Sequence, residues 1–306
     1  MTSTRLINSV GIGALEWLHA HRDGFRLEED VDPEVGFLER FKPVGELALV
    51  CAVLFREGVA GSRQAQLARQ LIDHAWRDTL DGGRMLVRGQ RIEPLSSIPF
   101  EVYLPFKELG YGHPEIERTF RLNHRLESYA ALEMTPVRRL GLSAFQRRFG
   151  LPPQPPESEI LGRTWLGRTP EPWTVEGHTA YDITHTVFHL TNWGEDPDGL
   201  PAPLAGYLAT WLPAWLDDWL DLERWDLLGE LLVVDACLPR PTLDERAWEG
   251  FAAAQQPDGA MPAMRTMPEA EPDELFDLIY HPTLVAAFAS VLATSRVLTE
   301  LAHAPA

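Results

Sequence analysis

Apolar residues recur at three- and four-residue spacing through TRLINSVGIGALEWL from Thr4, GELALVCAVLF from Gly45 and RQAQLARQLIDHAW from Arg63. The same spacing runs through PLAGYLATWLPAWLDDWL from Pro203, DLLGELLVVDACL from Asp226 and HPTLVAAFASVLATSRVLTELA from His281. This is the period of a helix that turns one face to a core. Strand-like alternation is confined to MLVRGQRIEP, Met85 to Pro94, the one candidate for a short hairpin. The helical segments are of two kinds. Leu47–Phe55 and Leu231–Leu238 are apolar nearly all round, whereas Arg63–Trp76 and Leu243–Gln255 carry a charged face. The pattern predicts an all-α protein in which helices enclosed on every side alternate with helices buried on one.

A repeat supports that division. Gly45-Glu46-Leu47-Ala48-Leu49-Val50 is echoed by Gly229-Glu230-Leu231-Leu232-Val233-Val234, each opening an all-apolar helix. Similar openings carry Glu101 in FEVYLPFKELGYG, Asp182 in DITHTVFHLTNWG and His281 in HPTLVAAFASVLA. Gly58, Gly112 and Gly194 follow Glu46, Glu101 and Asp182 where a glycine would end the helix. The interval is irregular, roughly 45 to 80 residues. Enclosed helices that are each followed by an outer helix running back must be parallel, so their first turns gather at one rim. The expectation is a ring of inner helices surrounded by outer ones, with Glu46, Glu101, Asp182, Glu230 and His281 at the mouth of a central cavity. His185 falls one turn below Asp182.

Composition narrows the partners. At 306 residues with 45% hydrophobic content the chain can bury a large core, as one domain or two. Cys51 and Cys237 match neither a disulfide framework nor a paired-cysteine zinc motif, which favours a reducing compartment. The opening MTSTRLINSVGIGALEW lacks a basic segment followed by a long apolar run, and no uninterrupted apolar stretch reaches bilayer length, so a cytoplasmic protein is expected. A net charge of −18 without a Lys/Arg patch repels nucleic-acid phosphates and anionic membranes, and neither is expected as a partner. Nothing in the composition fixes an oligomeric state.

Near the end of the chain, Trp248 to Pro262, WEGFAAAQQPDGAMP, resembles the glutamine-aspartate-glycine turn between outer and inner helices of terpenoid cyclases and protein prenyltransferase β subunits, with Met261 where a tryptophan is usual. LIYHPTLVAAFA resembles the Tyr-His-Thr segment whose histidine binds zinc in the prenyltransferase β subunits, with Pro282 between His281 and Thr283. Asp235-x-Cys237 is similar to that family's other zinc ligands. The likeness covers about the last quarter of the chain, and what it implies is one α/α toroid, or incomplete barrel, over residues 1–306. The Asp-x-Cys pair departs from the family by closing an apolar helix, where the family opens one. That places it one to two turns from the rim, and Cys237 reads better as a small buried residue.

The polar residues of Tyr181–Gly194 admit three readings. Asp182 and His185, at i and i+3, share a helix face and with His281 can hold zinc or another divalent ion, Glu230 standing beside them. Without metal the same group is a carboxylate-oriented histidine with a second histidine nearby, suited to acid/base catalysis with Glu46. In the third reading Asp182 caps the helix and His185 satisfies a neighbouring carbonyl. His189, a turn deeper, is expected to be a satisfied core histidine, and His178 a loop residue at the rim. The expected function is an enzyme, cyclase- or transferase-like, acting on a small or medium-sized, partly apolar metabolite or peptide. A non-catalytic binding or scaffold protein is the alternative.

Other motifs carry less. Asp217-Asp218-Trp219-Leu220-Asp221 matches the diphosphate-binding pattern of class I terpene synthases, but the stripe Trp211, Trp215, Trp219 marks the buried face of an outer helix and leaves the aspartates solvated. GIGALE has glycines of a dinucleotide loop without the strand-turn-helix around them. Residues 149–177 break the helical pattern with six prolines. Such a segment is expected to pass over the rim as a lid, with Trp165 and Trp173 able to cover an apolar ligand.

Overall fold

The computed structural model describes residues 4–27 and 37–303, and within them the protein is all-α, without a strand. In chain order the helices are α1 (Thr4–Ala20), α2 (Phe41–Glu57), α3 (Arg63–His74), α4 (Arg84–Ile92), α5 (Ile98–Glu108), α6 (Pro114–Asn123) and α7 (Glu127–Ala130). They continue as α8 (Pro136–Arg148), α9 (Glu157–Leu161), α10 (Gly177–Leu190), α11 (Ala202–Asp221), α12 (Trp225–Cys237), α13 (Glu245–Ala254) and α14 (Pro272–His303).

Local chemistry sets the starts. Ser62, Thr135 and Asp244 cap α3, α8 and α13 by accepting from the N–H of Ala65, Arg138 and Ala247. Glu176 caps α10 by accepting from His178 and Thr179, so Asp182 lies inside that helix and is not its cap. The expected hairpin at Met85–Pro94 is instead mostly α4. Leu86, Val87 and Gln90 form a buried face at helical spacing, while Arg84, Arg88 and Arg91 are exposed. The alternation was too short to outweigh that amphipathic face.

Packing contacts link α2 to α5, α5 to α8, α8 to α10, α10 to α12, α12 to α14 and α14 back to α2, a closed circuit of six helices. Outside it, α1 packs on α14, α3 on α2, α4 and α6 on α5, α9 on α8, and α11 and α13 on α12. Burial follows position. Every residue of α12 is buried, whereas α11 buries Leu204, Leu208, Leu212, Trp215, Leu216 and Trp219 along one side. Trp211 departs from the predicted stripe at 36% exposure. Asp217 and Asp221 lie on the solvated flank, where Arg246 pairs with both at 2.5 and 2.6 Å.

Four of the circuit's helices, α2, α5, α8 and α10, share one polarity. Lys42 of α2, Ile98 of α5, Arg138 of α8 and Tyr181 of α10, all near helix starts, line one cavity. Arg56, Glu108 and Arg148 at the ends of α2, α5 and α8, with Asn192 just past α10, line a second cavity, and Leu49 and Trp193 border both. Of the five residues expected at the mouth of one cavity, Glu46, Glu101 and Asp182 line it, joined by the start of α8, whereas Glu230 and His281 are not among its lining residues. The helix-ending glycines are less regular. Gly194 is left-handed at φ 83°, but Gly110 takes that role after α5 at φ 95°, two residues before the expected Gly112, and Gly58 is extended at φ −77°.

The expectations for residues 149–177 need correction. Residues 149–177 carry α9 and short 3₁₀ turns, and neither Trp165 nor Trp173 lines the cavity at the first turns. The segment lies against α8 and α11, held where Tyr207 donates to Pro170 O at 2.7 Å and Trp215 to Pro172 O at 3.0 Å. Trp173 is 78% exposed. Although no apolar run is uninterrupted over bilayer length, one helix among the described residues, Pro272–Thr299 of α14, is long and apolar enough to cross a membrane; 78% of its most apolar stretch is buried inside the protein.

The turn resembling the terpenoid-cyclase motif does join an outer helix, α13, to a circuit helix, α14. Gln255 Nε2 donates to Val10 O and Gly259 O at 3.0 Å, and Met261 N donates to Thr283 Oγ1 at 3.0 Å. Gly259, at φ 97°, passes so close to Gly13 that a Cβ would lie 2.0 Å from its carbonyl oxygen.

Candidate acid–base site

Asp226, one turn before Glu230 on α12, points its carboxyl at residues from α10 and α14. His281 Nδ1 lies 2.8 Å from Asp226 Oδ1, and the Tyr181 hydroxyl donates to Oδ2. The other ring nitrogen of His281, Nε2, stands 3.7 Å from Glu230 Oε1 and 3.9 Å from Glu46 Oε1. Glu230 is nearly sealed from solvent and accepts from Thr184 Oγ1, while its Oε2 lies 3.8 Å from His185 Nδ1. Lys42 is 3.7 Å from Glu46. Glu46, His185, Glu230 and His281, picked out from four separate segments, thus meet.

Their electrostatics diverge. Burial disfavours the His281 cation, but Asp226, through charge and hydrogen bond, with Glu46 and Glu230 outweighs it and raises its pKa to about 10. At neutral pH His281 is an imidazolium. Burial likewise pushes the Asp226 carboxyl up, yet His281, Tyr181 and Lys42 overcome it and hold Asp226 below the usual carboxylate range. For Glu230 burial wins. His185, His281 and the Thr184 hydrogen bond offset it only in part, and Glu230 is raised, biased toward its protonated form.

His185 faces the cavity with 41% of its side chain exposed. Its Nδ1 lies 2.9 Å from the Tyr181 carbonyl oxygen. A carbonyl only accepts, so Nδ1 carries the proton and neutral His185 keeps its lone pair on Nε2. The carbonyl contact expected in the third reading is therefore made, and it also fixes the tautomer a base requires. Asp182 lines the same cavity, and its carboxylate has no hydrogen bond or ion pair among the described residues.

Asp182, His185 and His281 were expected as a metal set, but His281 Nδ1 is engaged by Asp226 at 2.8 Å. Among the described residues no group of three or more His, Cys, Asp or Glu side chains has metal-holding geometry. Asp235 and Cys237 stand apart at the end of α12, as their position after the apolar run required. Asp235 accepts from Thr242 N and Oγ1 at 2.9 Å and from Leu243 N at 2.8 Å, clamping the following turn. Burial pushes the Cys237 thiol up to about 12, as an inert core residue.

The cavity has a volume of about 660 Å³ and mainly apolar walls, including Val102, Phe145 and Trp193. At its mouth Arg138 pairs with Glu101 through two contacts of 2.5 and 2.7 Å. His189 lines it a turn deeper than His185. It is a core residue, 8% exposed, but not the satisfied one expected: its Nδ1 has no hydrogen-bond partner. Burial above all, then His185 and Arg138, keeps its pKa well below the ordinary 6.5. His178 is exposed in the first turn of α10.

Sequence reasoning missed Asp226, Tyr181, Thr184 and Arg138. The spacing Asp226-x-x-x-Glu230 at the head of an all-apolar helix was a usable signal for the first. Tyr181 and Thr184 flank residues already singled out, but their roles depend on α12, more than forty residues away.

Residues 11–291 match the family described as Domain of unknown function (DUF6895), and the chain belongs to that family. No curated protein and no solved structure matches it.

Proposed function

We propose that this chain is an enzyme of α/α-toroid architecture that performs acid–base chemistry on a small or medium-sized, partly apolar metabolite or peptide bound in the cavity at the first turns. The toroid reading draws support from the closed circuit of six helices, four of them like-oriented, with other helices packed outside it. The chemistry rests on one observation, the chain of contacts His185–Glu230–His281–Asp226 behind a cavity-facing His185 whose tautomer leaves Nε2 basic. His185 takes a proton from the substrate at Nε2. Glu230, 3.8 Å behind Nδ1, faces the charge formed on the ring without giving up or taking a proton, and the His281 imidazolium and the Thr184 hydroxyl hold its carboxyl in place. Asp226 and Glu46 hold His281 charged.

The test is untargeted. Purified protein is incubated with a cellular small-molecule extract and the mixture is followed by mass spectrometry. Wild type should consume particular compounds that His185→Gln leaves untouched, because Gln keeps hydrogen bonds but cannot titrate near neutral pH. Equal consumption by both refutes the role of His185. No consumption by wild type favours a binding protein. A stoichiometric divalent ion in element analysis, lost in His185→Gln, favours a metal-assisted site using Asp182 and His185.

A further inference from the structure

Asp182, His185 and His189 fall at i, i+3 and i+7 of α10, so one face of a single helix supplies a polar stripe down the wall of an otherwise mainly apolar cavity. The rise of a helix puts Asp182 and His189 roughly 10 Å apart along that stripe. Of the charged groups lining the cavity, Arg138 is engaged by Glu101 and Lys42 stands by Glu46, so both cations are already matched. Asp182, half-buried beneath the mouth, and exposed Glu39 at its edge are the carboxylates left without a partner among the described residues. At the deep end His189 is more than nine-tenths buried and its Nδ1 has no protein partner. A buried nitrogen left unpaired costs about 1–3 kcal/mol, a cost that a ligand group removes.

We infer that the natural ligand is an amine: a cationic ammonium held at Asp182, an apolar body along the walls, and a hydroxyl or carbonyl that meets His189 Nδ1. This rests on the enzyme reading above only in its use of the same cavity. His185 then stands between the two anchor points, level with the middle of the ligand. A ligand carboxylate or phosphate at the Asp182 level would meet an unmatched negative charge, with no free cation among the described residues lining the cavity to offset it.

Isothermal titration with three probes on the intact protein tests the assignment: octylammonium, octanoate, and octylammonium bearing a terminal hydroxyl. Octylammonium should bind at least tenfold more tightly than octanoate, and Asp182→Asn should remove most of that preference. The terminal hydroxyl should improve affinity several-fold in wild type and not in His189→Leu. Octanoate binding as tightly as octylammonium, or a preference unchanged in Asp182→Asn, overturns the amine assignment. A hydroxyl without effect in wild type overturns the His189 contact, whatever the folding of the variant. His185→Gln separates this from the catalytic reading. Retained amine preference with turnover that does not depend on His185 sinks only the catalytic role, whereas His185-dependent turnover without amine preference sinks only the ligand class.

Discussion

Replacing His281 with Gln removes the imidazolium shared by Asp226, Glu230 and Glu46 and leaves Asp226, with 12% of its side chain exposed, facing the Tyr181 hydroxyl alone. Removing one member of a buried ion pair costs about 3–5 kcal/mol. The pH dependence is the sharper signature. In the folded protein the His281 pKa is raised from 6.5 to about 10. Below 6.5 folded and unfolded chains both hold the proton and the contribution is fully present. Between 6.5 and 10 only the folded chain holds it, so stability falls as pH rises, and above 10 the contribution is gone. At about 1.4 kcal/mol per pH unit the whole interval is worth at most about 5 kcal/mol. Asp226 and Glu230 act mainly at lower pH, and the raised Tyr181 and Tyr280 hydroxyls mainly above 10. Urea unfolding of wild type at successive pH values from 6 to 10 should show the midpoint dropping through that window, while His281→Gln, less stable at pH 7, changes much less. Parallel curves for the two proteins refute the charged-pair reasoning, as does a histidine ring whose NMR shift titrates near 6.5 in wild type and disappears in His281→Gln.

Two other predictions bear on the site's surroundings. Gly141→Ala, in the interior of α8, should gain helix propensity yet destabilise by about 1–3 kcal/mol, since the new Cβ would lie 2.7 Å from His189 Nε2; a raised melting temperature contradicts the packing described. Asp235→Ala removes three hydrogen bonds that close the turn after α12 and should cost about 2–4 kcal/mol in chemical denaturation with bound metal unchanged, whereas metal loss in this variant would revive a zinc site there.

The all-α class was readable because the apolar period is long and clear in segments such as Gly45–Phe55 and Asp226–Leu238, and the enclosed helices announced themselves by lacking a polar face. A charged residue at the head of such a helix has few places to go but a cavity or a partner, which is why Glu46 and Glu230 were found; His281, expected to open a helix, lies inside α14, which begins nine residues earlier at Pro272. Their pairing was not readable. Periodicity gives a residue's face along its own helix, not which residue of another helix stands opposite, so the Asp226–His281 contact and the Thr184–Glu230 contact stayed hidden. Asp182 shows the opposite error. An acidic residue near a predicted helix start looks like a cap, but Glu176 begins the helix earlier and frees Asp182 for the cavity wall. In α4 a few alternating positions imitated a strand over a span too short for the longer period to show.

The packing of α1 on α14 has a consequence for synthesis. Ser290 Oγ donates to Ile7 O at 2.7 Å across 283 positions of sequence, and Gly11 lets the two helices approach so closely that a Cβ there would meet Ser290 Oγ at 2.3 Å. At about 5–20 residues per second, a ribosome adds α14 on the order of fifteen seconds to a minute after α1. During that interval the side of α1 that meets α14 at Ile7 and Gly11 lacks its partner. Truncations within α14 that stop short of Ser290 should therefore leave that face of α1 uncovered and yield aggregates in cells.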